Sequence, residues 1–84
     1  MTRDEIHVAT VRILTKIAPE VDPATLKSDV ILRDQLDIDS MDFLNFVIGL
    51  HNEFHIDIPE ADYAKLSTLD GCVDFLLAAK AGKP

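Results

Sequence analysis

The sequence predicts an all-α protein, a small four-helix bundle with three longer helices, one short helix and a long loop between helices one and two. Apolar residues recur at helical spacing in three segments, and no two segments alternate as paired strands would. The 84 residues fit a single domain, 1–84, whose tail 81–84 we expect to fray. A hydrophobic content of 48% favours a globular core over disorder.

The chain is acidic, with 15 acidic against 8 basic residues and a formal net charge of −7. This charge disfavours nucleic acids and anionic membranes as partners and favours basic protein surfaces. No apolar run approaches membrane-spanning length or resembles a signal peptide, so we expect no membrane insertion and a cytoplasmic location. Cys72 is the only cysteine, which excludes an intramolecular disulfide.

The first helix is predicted between Thr2 and Ala18. Thr2 and Glu5 have the spacing of a capping box, and Pro19 disfavours helix in the residue before it. The core-facing stripe consists of Ile6, Ala9, Thr10, Ile13, Leu14 and Ile17, widened by Val8 and Val11. On this stripe the Thr10 methyl group can pack while its hydroxyl bonds back to the preceding turn.

The long connection 19–37 follows. Asp22 and Pro23 predict a cap and one helical turn over 23–26. The apolar residues expected to hold this loop against the bundle are Val30, Ile31, Leu32 and Leu36. Long loops between helices of a small domain are often functional.

The second helix, 39–54, begins at Asp39, a favourable N-cap, with the Asp42 carboxylate in the first turn. Ser40 therefore lies at the helix start with an exposed hydroxyl. Phe43, Phe46, Val47, Leu50 and Phe54 form the core stripe, whereas Met41, Leu44 and Ile48 fall on the opposite side among Asn45, His51 and Asn52. One packing partner requires only one stripe, so the second is either covered by the loop or open to a protein partner.

The remainder predicts a short third helix over 59–66 and a fourth helix capped by Ser67 or Thr68. Ser67 and Asp70 have capping-box spacing. The buried stripe of the fourth helix is Leu69, Cys72, Val73, Leu76 and Leu77. Ile56 and Ile58 alternate with polar residues, but that run is too short to build a sheet.

Several residues could carry chemistry, and each also has a structural interpretation. Ser40 could be an ordinary first-turn serine, although a helix N-terminus also favours an attached phosphate. His51 and His55 are spaced i, i+4 but lack a third ligand, so we predict no metal site. Cys72 falls in the core and is interpreted as an inert thiol. A Ser-His-Asp site would lack a nucleophile elbow and an oxyanion hole, so no catalytic residue is predicted.

The pattern around Ser40 resembles the acyl carrier proteins, including the related peptidyl carrier domains. Their attachment motif, Asp-Ser-Leu at the start of the second helix, corresponds here to Asp39-Ser40-Met41. The resemblance covers nearly the whole chain. It includes the apolar run 43–50, Leu32 and Leu36 ahead of the motif, the helix exit Ile56-Asp57-Ile58-Pro59 and the entry Leu66-Ser67-Thr68-Leu69.

The resemblance implies a freestanding, monomeric carrier that is not itself an enzyme. A phosphopantetheinyl transferase would move 4′-phosphopantetheine from coenzyme A onto Ser40, and the terminal thiol would carry acyl groups as thioesters. Asp39 and Asp42 would contribute to the surface that the transferase recognises. The partner surface beside Ser40 would be formed by an apolar stripe and the polar residues among it, namely Met41, Leu44, Ile48, Asn45, His51 and Asn52. The further partners implied are an acyl-loading ligase or transferase and acyl-using synthase enzymes.

The sequence departs from the family pattern at several positions. Met41 replaces the usual Leu, and Asp37 stands where Gly is frequent. Asn45, His51 and Asn52 occupy positions where carriers of fatty-acid synthesis are commonly acidic. These differences predict a specialised lipid or secondary-metabolite pathway rather than general fatty-acid synthesis.

Two alternatives remain open: an aminoacyl or peptidyl carrier, and an unmodified helical interaction module using the same exposed stripe. A small hydrolase is a third and weaker alternative. Carriers of this family can enclose an acyl chain among their helices. Because Phe43, Phe46 and Phe54 are bulky, we predict little room here for a long chain.

Overall fold

The structure, a computed structural model, describes residues 2–81, and within that range it contains helices and no strand. The helices are α1 (Arg3–Ile17), α2 (Leu32–Gln35), α3 (Ser40–Phe54), a 3₁₀ helix (Glu60–Leu66) and α4 (Leu69–Ala81). The predicted all-α class is confirmed. Two details differ from expectation: the loop after α1 contains the short helix α2, and the short third helix is of the 3₁₀ type. Residues 82–84 of the predicted fraying tail lie outside the described residues.

Side-chain caps fix where the longer helices begin. The Thr2 hydroxyl accepts a hydrogen bond from the Glu5 backbone N–H at 3.2 Å, and the Glu5 carboxylate accepts from the Thr2 N–H at 2.9 Å. The bond from the Thr2 N–H is the main reason that the pKa of Glu5 lies below its ordinary value. The predicted capping box of α1 is therefore confirmed.

The capping box predicted between Ser67 and Asp70 at the start of α4 is wrong, because Thr68 makes the cap. The Thr68 hydroxyl, and not that of Ser67, accepts from the backbone N–H of Gly71 at 3.0 Å. The Asp70 N–H is instead bonded to the Ser28 carbonyl of the long loop at 2.9 Å. A tertiary contact has replaced the local one, and α4 consequently starts one residue later than a Ser67 cap would place it.

The core forms where α1 packs against both α3 and α4, with the 3₁₀ helix against α4. The fully buried side chains include Ile6, Leu14, Leu32, Phe46, Leu50, Phe54, Leu66, Leu69, Cys72 and Leu76. Thr10 is also buried, and its hydroxyl donates to the Ile6 carbonyl at 2.7 Å as predicted. Val8 does not widen the core: it is 63% exposed and lies at an open cleft that Leu26 and Leu69 also line.

Hydrogen bonds fold the long loop upon itself, whereas Leu32 and Leu36 pack it against the core, as predicted. Asp22 begins the predicted turn, with its carboxylate accepting from the Ala24 N–H at 3.0 Å. The Gln35 amide accepts from the Lys27 N–H at 2.9 Å and donates to the carbonyls of Lys27 and Val30. A glutamine side chain thus satisfies backbone groups that would otherwise need water.

Two apolar residues of the loop behave differently from each other. Leu32 is fully buried, and its N–H donates to the Ser67 carbonyl at 2.7 Å, which joins the loop to the entry of α4. Ile31 was expected to hold the loop down, but it is 46% exposed. Because the α2 backbone turns at this point, neighbouring side chains face opposite environments.

Candidate functional site

Ser40 is the first residue of α3, and the cap before it is made by Asp39. The Asp39 carboxylate accepts from the Asp42 N–H at 2.9 Å, and the Asp42 carboxylate accepts from the Asp39 N–H at 3.2 Å. Both halves of the capping box are present, so the Ser40 hydroxyl is not needed as a cap. Ser40 is exposed, and its hydroxyl makes no hydrogen bond to any residue in the described range.

The start of α3 suits a phosphate group joined to this hydroxyl. Backbone N–H groups of the first helical turn have no partner within the helix, and the helix dipole places partial positive charge there. The N–H groups of Ser40 and Met41 have no acceptor among residues 2–81. A phosphodiester on the Ser40 oxygen would lie beside these donors, so the residues present fit a phosphopantetheine arm.

The second apolar stripe of α3 is open to solvent. Met41, Leu44 and Ile48 are 63%, 38% and 48% exposed. The alternative in which the long loop covers this stripe is therefore wrong. We call these three residues the exposed stripe.

The exposed stripe is flanked by few charges. Asn45, His51 and Asn52 are all exposed, as the sequence predicted for that side of the helix. The acidic residues within α3 are Asp42 and Glu53, and the Glu53 carboxylate is paired with the Arg12 guanidinium at 2.9 Å. Within α3, the carboxylate at the Ser40 end is that of Asp42, whereas the far end carries only the paired Glu53. Beyond the helix, the exposed Asp57 carboxylate lies 3.9 Å from the Nδ1 atom of His51.

Gly49 allows α1 to approach α3 closely. A Cβ atom at this position would lie 2.7 Å from the Cγ2 atom of Ile13. The atom approached most closely is therefore in an isoleucine side chain of α1 and not in its backbone. Beside this contact lies a shallow open groove whose walls include Lys16, Asn45 and Asn52.

The two histidines of α3 are held at the end of the helix. The Nδ1 atom of His51 lies 2.8 Å from the Ile56 carbonyl, so this nitrogen carries the hydrogen. His55 ends the helix in a left-handed conformation with φ of 55°. No three His, Cys, Asp or Glu side chains of residues 2–81 are grouped so that they could hold a metal ion.

Cys72 is buried in α4, and its thiol donates to the Leu66 carbonyl at 3.3 Å. Burial raises the pKa of this thiol to about 12. The predicted position of Cys72 in the core is confirmed, and a thiol with a raised pKa carries little of the reactive thiolate at neutral pH. Among the described helices, none combines the length and the apolar character needed to cross a membrane.

Comparison with known proteins identifies relatives over most of the chain. Residues 11–76 match the family model described as "Phosphopantetheine attachment site". The chain is 34% identical over 61 residues to the acyl carrier protein of Tropheryma whipplei, covering 73% of this chain and 74% of that protein. It is 35% identical over 63 residues to the acyl carrier protein of Bdellovibrio bacteriovorus, covering 75% and 78%.

A solved structure agrees with these relatives. The acyl carrier protein from Enterococcus faecalis superposes with a TM-score of 0.73 at 25% sequence identity, covering 94% of this chain and 99% of that one. The two bacterial relatives and the solved structure are all acyl carrier proteins, and the family model describes a phosphopantetheine attachment site. The chain therefore belongs to the acyl carrier protein family, whose members carry covalently attached phosphopantetheine and are carriers, not enzymes.

Proposed function

We propose that this acyl carrier protein bears its 4′-phosphopantetheine on the Oγ atom of Ser40. The observation that carries the proposal is the uncommitted, exposed hydroxyl at the first residue of α3, left available because Asp39 makes the cap. When attached, the arm supplies a terminal thiol that holds acyl groups as thioesters. No side chain of the carrier needs to take part in chemistry on the acyl group.

The loading step balances as a phosphoryl transfer. The Ser40 oxygen forms a bond to the phosphorus that bears the pantetheine in coenzyme A, and the pyrophosphate P–O bond breaks. Adenosine 3′,5′-bisphosphate leaves, and the transferase takes up the hydroxyl proton. Ser40 supplies the nucleophilic oxygen, and the first-turn N–H groups of α3 are placed to receive the phosphate.

Intact-protein mass spectrometry tests this proposal. The chain is incubated with coenzyme A and a phosphopantetheinyl transferase, and we expect a mass gain of one phosphopantetheine. Ser40→Ala should gain nothing while keeping its fold, because Asp39 and Asp42 still form the capping box. A gain that persists in Ser40→Ala contradicts the assignment. No gain in the unsubstituted chain favours the alternative of an unmodified interaction module.

The exposed stripe, Met41, Leu44 and Ile48, is the proposed docking surface for partner enzymes. Its position one to eight residues after Ser40 lets a docked enzyme reach the arm. The expected partners are the phosphopantetheinyl transferase, an acyl-loading ligase or transferase, and acyl-using synthase enzymes. Asp39 and Asp42 meet basic groups at the Ser40 end of this surface. A stripe this small supports binding of modest affinity with rapid dissociation. A carrier that must visit several enzymes in turn requires such binding.

The neutral residues around the stripe support a specialised pathway. Asn45 and Asn52 offer amide hydrogen bonds, and His51 has its Nδ1 atom engaged with the Ile56 carbonyl. A matching enzyme would present an apolar pocket with polar, uncharged neighbours and few basic groups away from the Ser40 end. This pattern suits dedicated enzymes of a lipid or secondary-metabolite pathway, acting on a monomeric carrier in the cytoplasm.

A pair of matched variants tests the docking surface. Ile48 and Val8 are both exposed helical residues, at 48% and 63%, but Val8 lies on α1 away from the exposed stripe. With limiting transferase, Ile48→Asp should lower kcat/KM for modification of Ser40 by about tenfold, whereas Val8→Asp should change it less than about twofold. Equal effects of the two substitutions would contradict the surface.

A further inference from the structure

A small cleft opens one helical turn from Ser40. It has a volume of about 240 Å³ and lies between α2, the start of α3 and the 3₁₀ helix. The residues that line it are Ile31, Arg33, Phe43, Tyr63, Ala64 and Ser67. Phe43 comes three residues after Ser40, a rise of about 4.5 Å along the helix, so a group tethered to Ser40 can reach the cleft. The rings of Phe43 and Tyr63 meet edge to face with centroids 6.4 Å apart and form an apolar wall.

Among residues 2–81, Arg33 is the only charged residue that lines this cleft. Its guanidinium makes no hydrogen bond or ion pair with any other residue in the described range. The chain's other arginines are both paired, Arg3 with Asp74 and Arg12 with Glu53. In a chain with 15 acidic residues, an arginine left without a carboxylate beside an apolar cleft is a candidate for binding an anion from outside the fold.

Carriers of this family can enclose their acyl group among the helices, and we propose that in this chain Arg33 makes the cleft favour a short acyl group ending in a carboxylate. The proposal rests on attachment of the arm at Ser40. The methylene carbons would contact Phe43 and Tyr63, and the terminal carboxylate would accept hydrogen bonds from the guanidinium fork. The volume lies below the roughly 300 Å³ typical of small-molecule sites, which limits the group to a short one. In an acidic chain, the unpaired guanidinium also offsets the repulsion that a carboxylate meets elsewhere.

The test compares two acyl groups that differ only at the end. Ser40 is loaded by a phosphopantetheinyl transferase from glutaryl-coenzyme A, pentanoyl-coenzyme A or coenzyme A itself, and each product is verified by mass. Glutaryl and pentanoyl groups both have five carbons, but only glutaryl ends in a carboxylate. We expect the glutaryl form to melt about 2–4 °C above the pentanoyl form, as one exposed ion pair would produce in a domain of this size.

Two variants separate Arg33 from a general charge effect. Arg33→Gln should abolish the difference between the glutaryl and pentanoyl forms. Lys27→Gln, which removes an exposed charge from the same loop but outside the cleft, should retain it. Backbone amide NMR shifts at Ile31, Arg33 and Phe43 provide a second readout, and they should change on loading with glutaryl in the unsubstituted chain and less in Arg33→Gln.

The outcomes are distinct. Equal melting of the two acyl forms with unchanged NMR shifts overturns the proposal, as does a difference that survives Arg33→Gln. An effect of Arg33→Gln already seen on the form loaded from coenzyme A alone, with no further effect of glutaryl, assigns Arg33 to the phosphate of the arm and also overturns it. Absence of any mass gain instead overturns attachment at Ser40, so the two failures can be told apart.

Discussion

Gly49 sets the distance between α1 and α3. Replacing it with alanine would gain about 1 kcal/mol of helix propensity. The new methyl group, however, would lie 2.7 Å from the Ile13 Cγ2 atom, which is fixed on a β-branched carbon. Overpacking of this kind costs about 1–3 kcal/mol, so we predict that Gly49→Ala lowers the free energy of unfolding by about 1 kcal/mol.

Denaturant unfolding checks this prediction. The double variant Gly49→Ala with Ile13→Leu is the matched control, because leucine has no branch at Cβ and should recover part of the loss. An increase in stability of Gly49→Ala alone would show that helix propensity outweighs the contact.

Because its thiol is buried, Cys72 should make the free energy of unfolding fall at high pH. Burial raises the pKa of its thiol from 9.0 to about 12, so the folded chain keeps the proton at pH values where the unfolded chain releases it. The stabilisation is complete below pH 9 and is lost progressively as pH rises from 9 to 12, by up to about 1.4 kcal/mol per pH unit. Cys72→Ala lacks this group, so the stability difference between the two proteins should shrink by up to about 2 kcal/mol between pH 7 and 10.5. A constant difference across that range would contradict the assignment.

At the scale of the element, different residues at the start of α3 cap the helix and offer the attachment hydroxyl. Asp39 makes the cap, and Ser40 is the proposed attachment residue. Asp39→Ala removes the acceptor of the Asp42 N–H and should cost about 1 kcal/mol of unfolding free energy. Asp39→Asn keeps a good cap without the charge and should retain most of the stability. Ser40→Ala should change stability by less than about 0.5 kcal/mol, because the hydroxyl makes no bond within residues 2–81. Thermal or urea unfolding of the three variants checks this order, and a large loss in Ser40→Ala would mean that Ser40 helps to hold the helix.

The same elements show what local sequence could predict. The starts of α1 and α3 follow from short-range signals, Thr2 with Glu5 and Asp39 with Asp42, and both capping boxes form. Helix α2 has four residues and no side-chain cap, and it depends on Gln35 bonding to the Lys27 and Val30 backbone. No periodicity is visible over so short a segment, so this helix could not be predicted.

The candidate site, like the helices, could be predicted from the sequence only in those features that depend on neighbouring residues. The position of Ser40 at a helix start follows from the residues around it, and the family resemblance supplied the chemistry. Helical spacing also placed Met41, Leu44 and Ile48 on one side, but periodicity does not say what covers a face. Their exposure became clear only from the path of the loop. The unpaired state of Arg33 likewise depends on tertiary structure.

At the scale of the whole molecule, the core leaves limited space for cargo. Phe46 and Phe54 are fully buried, and the half-buried Phe43 contacts the rings of Phe46 and Tyr63. We therefore predict no progressive rise in melting temperature as the acyl group on the arm lengthens from butyryl to palmitoyl. Phe43→Leu, which widens the cleft, should allow longer chains to stabilise the fold. A steady rise with chain length in the unsubstituted protein would show that the core opens to admit long chains.

The most direct test of the central claim locates the attached group on the chain. The sequence has three serines, Ser28, Ser40 and Ser67, and cleavage after Lys and Arg places each in a different peptide, 28–33, 34–65 and 66–80. Peptide 66–80 also contains Cys72, so a disulfide with coenzyme A would appear there and disappear on reduction. After modification by a phosphopantetheinyl transferase, fragment-ion mass spectrometry should find one phosphopantetheine in peptide 34–65, on Ser40. The group on Ser28 or Ser67, with Ser40 unmodified, would contradict the account.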